Sequence, residues 1–279
     1  MSMLLYKAWI ETRVRFLAGL IAIAIICIYC LEQHAGLVRM WMWDLQNPRF
    51  SNSMWAWVGV HEYGWYLWHY LYDESLQQTW ALFAVLLAFG GLIRERTSGT
   101  VSFSLGLPVS RRRWLFTRLA AVLIESVALS LFAVLVLIVG SAVIHQTFSL
   151  SQVLMHTALM VAAGMFMIAF GNLCYSLFPG NYLSLLLTPI LLGGPYLWIQ
   201  LQMQRMRIHD AFCAAHSCGK PSGLQSWLAY LAYLDIPHAM AGPWQLNWAS
   251  IPWISLLVIW TLTALVLGVT VAYGDRSDY

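Results

Sequence analysis

Read for its apolar and polar positions, the chain is a succession of long apolar runs parted by Ser-Gly breaks and proline-bearing loops. A helix in the core of a soluble protein averages about 10–14 residues, whereas a bilayer demands about 20 apolar ones. The runs are mostly of the longer kind and predict six membrane spans, at 16–31, 76–93, 119–144, 150–178, 182–199 and 252–273. The first is short and borrows residues from Arg15 onward. The fifth holds Pro189 and a Gly193-Gly194-Pro195 break, so a kink or a split is expected there. The expected fold is all-α: a polytopic membrane protein with one transmembrane domain over residues 1–279.

Between the spans the pattern changes character. Ahead of the first, Leu4, Leu5, Ala8, Trp9, Thr12 and Phe16 share one helical face, and Lys7, Glu11 and Arg15 share the other. That period predicts an interfacial helix over 1–15. Residues 32–75 and 200–251 form two long connections on one side of the membrane. The first is crowded with rings, among them Trp41, Trp43, Trp55, Trp57, Tyr63, Trp65, Tyr66, Trp68, Tyr70 and Tyr72. Such rings favour the headgroup layer and predict an aromatic belt, with a lid for an amphipathic substrate as the alternative. Ser75 with Gln78 has the spacing of a capping box that would start the second span. The second connection carries "LQSWLAYLAYL", an apolar run too short to cross, which predicts a re-entrant hairpin.

The 94–118 connection is different. Arg94, Arg96, Arg111, Arg112, Arg113 and Arg118 are six of the fifteen Lys and Arg residues, and a Leu-Pro-Val-Ser corner interrupts them. Pro108 restricts Leu107, and Ser110 is placed to cap a helix whose first turn is Arg111–Arg113 and which leads into the third span. Three arginines at a helix start oppose its dipole, which lipid phosphates or a partner protein could compensate; simple topology-setting charge is the alternative, and it leaves the corner unexplained.

Composition agrees with a membrane class. Hydrophobic residues make up 60% and charged residues 10%, against about 45–50% and 25% in soluble domains. Basic residues then set the orientation. The side with the N-terminus, the 94–118 connection and the C-terminus holds ten Lys and Arg, and the other side holds five. The richer side is expected to be cytoplasmic, which puts both termini inside a cell inner (plasma) membrane. No cleavable signal peptide is expected, because Glu11 precedes the first span and no small-residue cleavage motif follows Cys30. The basic residues follow topology, so no nucleic acid is expected as a partner.

Candidate chemistry is sparse. Cys27, Cys30 and Cys174 fall in spans and read as small apolar residues. Cys213 and Cys218 fall on the outer side and are candidates for a disulfide, with a metal site helped by His209 and His216 as the weaker alternative. "HEYGWYLWH" fails as a zinc-peptidase signature, since Trp65 stands where the second histidine is needed. Glu125 is the one acid in the third span: either a carboxylate that snorkels or pairs with a nearby arginine, or a functional intramembrane acid. His156 is expected near the outer third of its span. No G-x-x-x-x-G-K-[ST] loop occurs in these residues, so no catalytic residue, cofactor or metal is assigned to this chain.

The "R-E-R-x-S-G-T…L-P-V-S-R-R" segment, set between the second and third of six spans and preceded by an amphipathic N-terminal helix, resembles the type-2 ATP-binding-cassette export permeases. The resemblance implies that the corner is a coupling helix seated in a cleft of an ATPase. It puts the coupling role on Glu95, Gly99, Thr100, Leu107, Pro108, Val109, Ser110, Arg111 and Arg112. It also implies an N-terminal elbow helix touching the same partner, two ATPase subunits that bind ATP and Mg, and a second permease chain, taken as an identical copy, in surrounding lipid. The implied function is export of an amphipathic, lipid-like or peptide substrate. The readings from other classes are a membrane scaffold or sensor, and a metal-dependent membrane enzyme built on the outer Cys/His cluster.

Overall fold

A computed structural model describes residues 2–46, 58, 60–89, 111–177, 187, 188, 190 and 236–276. Among them every regular element is helical: α1 (Ser2–Gln46), α2 (Tyr63–Tyr66), a π-helical segment (Leu67–Leu76), α3 (Gln77–Phe89), α4 (Arg111–Val143), α5 (Leu150–Leu177), α6 (Ile236–Ala241) and α7 (Trp253–Arg276). Four helices are long and apolar enough to cross a membrane, over Leu5–Gln46, Phe116–Val143, Leu150–Leu177 and Trp253–Ala272. These correspond to the first, third, fourth and sixth predicted spans. The second is described only as far as Phe89, and most of 182–199 and all of 200–235 lie outside the described residues.

α1 differs most from expectation. It is one uninterrupted helix of 45 residues, with no break between an interfacial helix 1–15 and a span 16–31 and no stop at Leu31. Its sequence explains this, because the first proline is Pro48 and the only glycines are Gly19 and Gly36. An isolated helical glycine costs about 1 kcal/mol, too little to end a helix whose neighbours favour it. At 1.5 Å per residue such a helix extends about 67 Å, more than twice the hydrocarbon thickness of about 30 Å. The helix is therefore longer than the apolar slab is thick.

The helix entering α3 also starts earlier than the Ser75–Gln78 spacing predicts. Ser75 lies within the π segment, and its hydroxyl donates to the Tyr70 carbonyl, five residues back, at 3.1 Å. The wide π turn puts residues five apart beside one another. His69 thus meets Glu74 at 3.9 Å. α4 is described from Arg111 and ends with His145 in the left-handed conformation (φ 56°). There the Gln146 N–H closes onto the Ser141 carbonyl at 3.0 Å, the six-to-one bond of a helix C-terminus.

The helices pack as one bundle in which α4 also touches α5. α1 lies along α4, α5 lies along α6 and α7, and α3 touches α1, α4 and α5. Trp80 of α3 is completely buried at that junction. Its indole N–H points to the Ser126 carbonyl at 3.0 Å and the Ser130 hydroxyl at 3.1 Å, both on α4. Its six-membered ring fills the space over Gly164 of α5, where an added Cβ would lie 2.1 Å from Trp80 Cζ3. The opposite faces are apolar and outward. Ile21, Ile25 and Ile28 on α1 and Leu131, Leu135 and Ile138 on α4 are exposed at helical spacing, as hydrocarbon requires.

Candidate functional site

The functional reading centres on the corner at 94–118. Glu95, Gly99, Thr100, Leu107, Pro108, Val109 and Ser110 lie outside the described residues; Arg111 and Arg112 form the start of α4. What the structure describes is the base of the corner, where α3 arrives and α4 departs.

α1 is tied to both. Arg118 of α4 is buried and its guanidinium meets the Glu11 carboxylate of α1 at 3.5 Å, while Nη2 also points to the Phe89 carbonyl at 3.5 Å. Lys7 stands on the other side of Glu11 at 3.8 Å. One turn further along α1, Arg15 donates to the Leu86 carbonyl at 2.8 Å. Leu86 and Phe89 belong to the last described turn of α3. Two guanidiniums from two different helices thus reach carbonyls of one helix. Thr12, 3% exposed, completes the set by hydrogen bonding to the Glu125 carboxylate of α4, its hydroxyl also lying 3.0 Å from the Ala8 carbonyl.

The charged face of the N-terminal helix therefore does not simply face headgroups. Glu11 and Arg15 turn onto α3 and α4, and Thr12 and Ala8 form the buried stripe. Glu125 is itself only 4% exposed, and it engages Thr12, while Arg118 is held by Glu11. Its Oε2 has no hydrogen-bond partner among the described residues. Glu125→Gln is expected to keep the Thr12 contact and leave folding unchanged. Glu125→Ala is expected to lose about 1–3 kcal/mol, read as thermal unfolding in detergent. A loss in the Gln variant as large as in the Ala variant would show that the contact depends on the carboxylate itself.

At the end of α1 far from the corner the rings pack on one another. Trp41, Tyr63, Trp65, Tyr66 and Tyr72 are buried, whereas Trp43 is exposed and remains belt-like. Trp55 and Trp57 lie outside the described residues. Trp41 of α1 contacts Trp65, Tyr66 and Tyr70 with ring centroids 6.1, 6.2 and 5.9 Å apart. His34 stands edge-on to Tyr63 and Tyr66, and the Tyr66 hydroxyl bonds the Cys30 carbonyl. The three described cysteines, Cys27, Cys30 and Cys174, are buried free thiols.

His156 lies in the second turn of α5 and fastens the chain before α7. Its ring nitrogens face the Ala241 carbonyl at 2.9 Å and the Trp244 carbonyl at 3.4 Å. Trp68 donates to the Gly242 carbonyl at 3.0 Å, and Gly242 takes φ 63° with Leu159 packed close against it. A small pocket, open to the outside, lies there between Trp68, Tyr72, Gln152, His156 and Trp244. Among the described residues no three His, Cys, Asp or Glu side chains are grouped to hold a metal. Cys213, Cys218, His209 and His216 lie outside them.

The grip on α1 was not anticipated from the residues. Its trace in the sequence is Glu11 and Thr12 at one end of a helix otherwise apolar toward its partners, matched by Arg118 and Glu125 at the start of another.

Residues 71–209 match the family model described as ABC-2 family transporter protein. No curated protein and no solved structure matches the chain.

Proposed function

From the premise that this chain belongs to the ABC-2 family of transporter proteins, a multi-pass membrane family, we propose that it is the permease subunit of an ATP-binding-cassette exporter. In this reading a separate ATPase binds ATP and Mg, and its closure pushes on the corner at 94–118. The observation that carries the proposal is the family match itself, which spans α3, the whole corner, α4 and α5. The grip at the base of the corner supports it, since a lever that receives force needs a braced root. Three arginines at the start of α4 also need an acidic or phosphate surface against them, which an ATPase cleft or the inner leaflet provides.

Two ATPases and a second copy of this chain complete the proposed assembly, with both termini on the cytoplasmic side of the inner membrane. The cargo class is amphipathic: a lipid-like molecule or a peptide. Small residues such as Gly140 and Ser141 do not serve the second copy in this chain, because a Cβ on Gly140 would lie 2.2 Å from Leu31 and Ser141 bonds the Tyr63 hydroxyl at 2.7 Å. Both are spent on packing within the subunit.

The test is co-purification. The full chain, expressed with a cognate ATPase, is expected to retain it through affinity purification. Combined Pro108→Ala, Arg111→Ala and Arg112→Ala substitutions are expected to release the ATPase while the chain still runs as a monodisperse membrane protein. Retention of the ATPase by that variant, or external labelling of residues 94–118 in intact cells, would sink the proposal.

A further inference from the structure

We infer that α1 is the strut that carries movement of the cytoplasmic corner to the aromatic outer segment, with Glu11, Thr12 and Arg15 as positioning residues at its driven end. The inference rests on the proposed function for its source of force. What it adds is the route, the residues that engage it, and a role for the tryptophan-rich connection.

The driven end is gripped from two sides. Glu11 and Thr12 hold α4 through Arg118 and Glu125, and Arg15 holds α3 through the Leu86 carbonyl. The corner joins α3 to α4, so a push on it moves both helices that grip α1. If α1 stayed behind, Arg118, 7% exposed, would lose the Glu11 carboxylate. That is a costly state for a guanidinium.

Sliding of α1 along α4 is also blocked. Leu31 of α1 sits where a Cβ of Gly140 would be, and a Cβ on Gly19 would meet Leu129 of α4 at 3.1 Å. Interdigitated surfaces of this kind move together or jump; they do not glide.

The shaft is α-helical throughout where its neighbour is not. α1 is α-helical throughout from Ser2 to Gln46, and Glu11 to Trp41 covers about 45 Å at 1.5 Å per residue. The parallel path from α3 to the outer rings runs through the π segment Leu67–Leu76, a turn type that is rare and less regular in its bonding. The driving end of α1 is thus joined to the outer rings by the more regular of the two helices.

The output end is built to receive movement. Trp41 inserts among Trp65, Tyr66 and Tyr70, and His34 meets Tyr63 and Tyr66. On the far side of these rings stand α5 and the segment before α7, fastened through Tyr72 to Thr157 at 3.0 Å and Trp68 to Gly242 at 3.0 Å. Displacing α1 along its axis therefore acts on the ring cluster between the α1–α4 pair and the α5–α6–α7 group.

Spin labels test both ends in the full chain, on a background lacking the five native cysteines and diluted with unlabelled chain. Tyr6→Cys with Phe116→Cys reads the grip, and Trp43→Cys with Leu150→Cys reads the outer gap; all four native side chains are exposed. Without ATPase, the inner distance is expected to be narrow in the parent, broad in Glu11→Arg, and narrow again in Glu11→Arg/Arg118→Glu. Glu11→Gln broadens it less and serves if the reversal fails to fold. With the ATPase bound and trapped in its Mg-ATP state, the outer distance is expected to shift in the parent, stay fixed in Glu11→Arg, and shift again in the exchanged pair. An inner distance indifferent to Glu11→Arg and Glu11→Gln overturns the grip. An outer shift that persists in Glu11→Arg overturns the strut while leaving the transporter reading intact. No ATPase binding to the parent overturns the transporter reading and the strut's role with it, the inner distances still reporting on the grip.

Discussion

Trp80→Ala is expected to lower the unfolding free energy of the chain in mixed micelles by about 3–5 kcal/mol, the cost of deleting a fully buried large aromatic side chain. Trp80 has no exposed surface and is the point at which α3 meets both α4 and α5. Its removal leaves a cavity that three helices cannot close together, because each is held elsewhere. Trp80→Phe separates the contributions: most of the packing stays and the indole N–H is lost. The Ser126 carbonyl keeps the Ser130 hydroxyl at 2.7 Å, so this change is expected to cost about 1 kcal/mol. Gly164→Ala probes the same contact from α5. The new methyl would sit 2.1 Å from the indole, so it destabilises in the native background and less in Trp80→Ala, where the ring is gone. Titration with sodium dodecyl sulfate measures all four variants; equal Gly164→Ala costs in both backgrounds would refute the contact.

Arg118→Met is the second large effect, expected to cost about 2–4 kcal/mol, at and below the range for breaking a buried ion pair. The lower part of that span reflects Glu11, whose side chain keeps 17% of its surface and has Lys7 beside it at 3.8 Å. Arg118→Met leaves a carboxylate facing an apolar side chain and withdraws a donor from the Phe89 carbonyl. Glu11→Met/Arg118→Met removes both charges and is expected to recover most of the lost stability, since well-packed apolar pairs replace buried ion pairs at little cost. Recovered stability with ATP-dependent outer movement still absent would separate the structural part of the pair from its positioning part. A double variant no more stable than Arg118→Met would show that the two side chains do not act on each other. Thermal unfolding in one detergent, across the four members of the cycle, decides it.

Much of this molecule was legible in its order of apolar residues. Long runs without proline or paired glycine can only be helices once the solvent is hydrocarbon, because every backbone N–H and C=O must then be satisfied within its own segment. That is why the predicted spans at 119–144, 150–178 and 252–273 agree closely with Arg111–Val143, Leu150–Leu177 and Trp253–Arg276. The family likewise was legible in a short run of residues, since the corner motif is local.

Other features were beyond a linear reading, for a common reason. A period of 3.6 shows which residues share a face, and says nothing about what that face meets. Glu11 and Arg15 have the pattern of a headgroup-facing stripe, and the fold turns them onto the end of α3 and the root of α4. Glu125 and Arg118 are two turns apart on one helix, near enough to suggest pairing, yet each takes its partner from α1. The rings of 32–75 satisfy the composition of an interfacial belt, and buried packing on Trp41 makes several of them an interhelical joint. Which segments are helical, the unbroken length of α1 included, follows from solvation of the backbone, which each segment settles alone. Partners of buried charges are settled among segments far apart in the chain, where desolvation makes one arrangement of neighbours much cheaper than the rest.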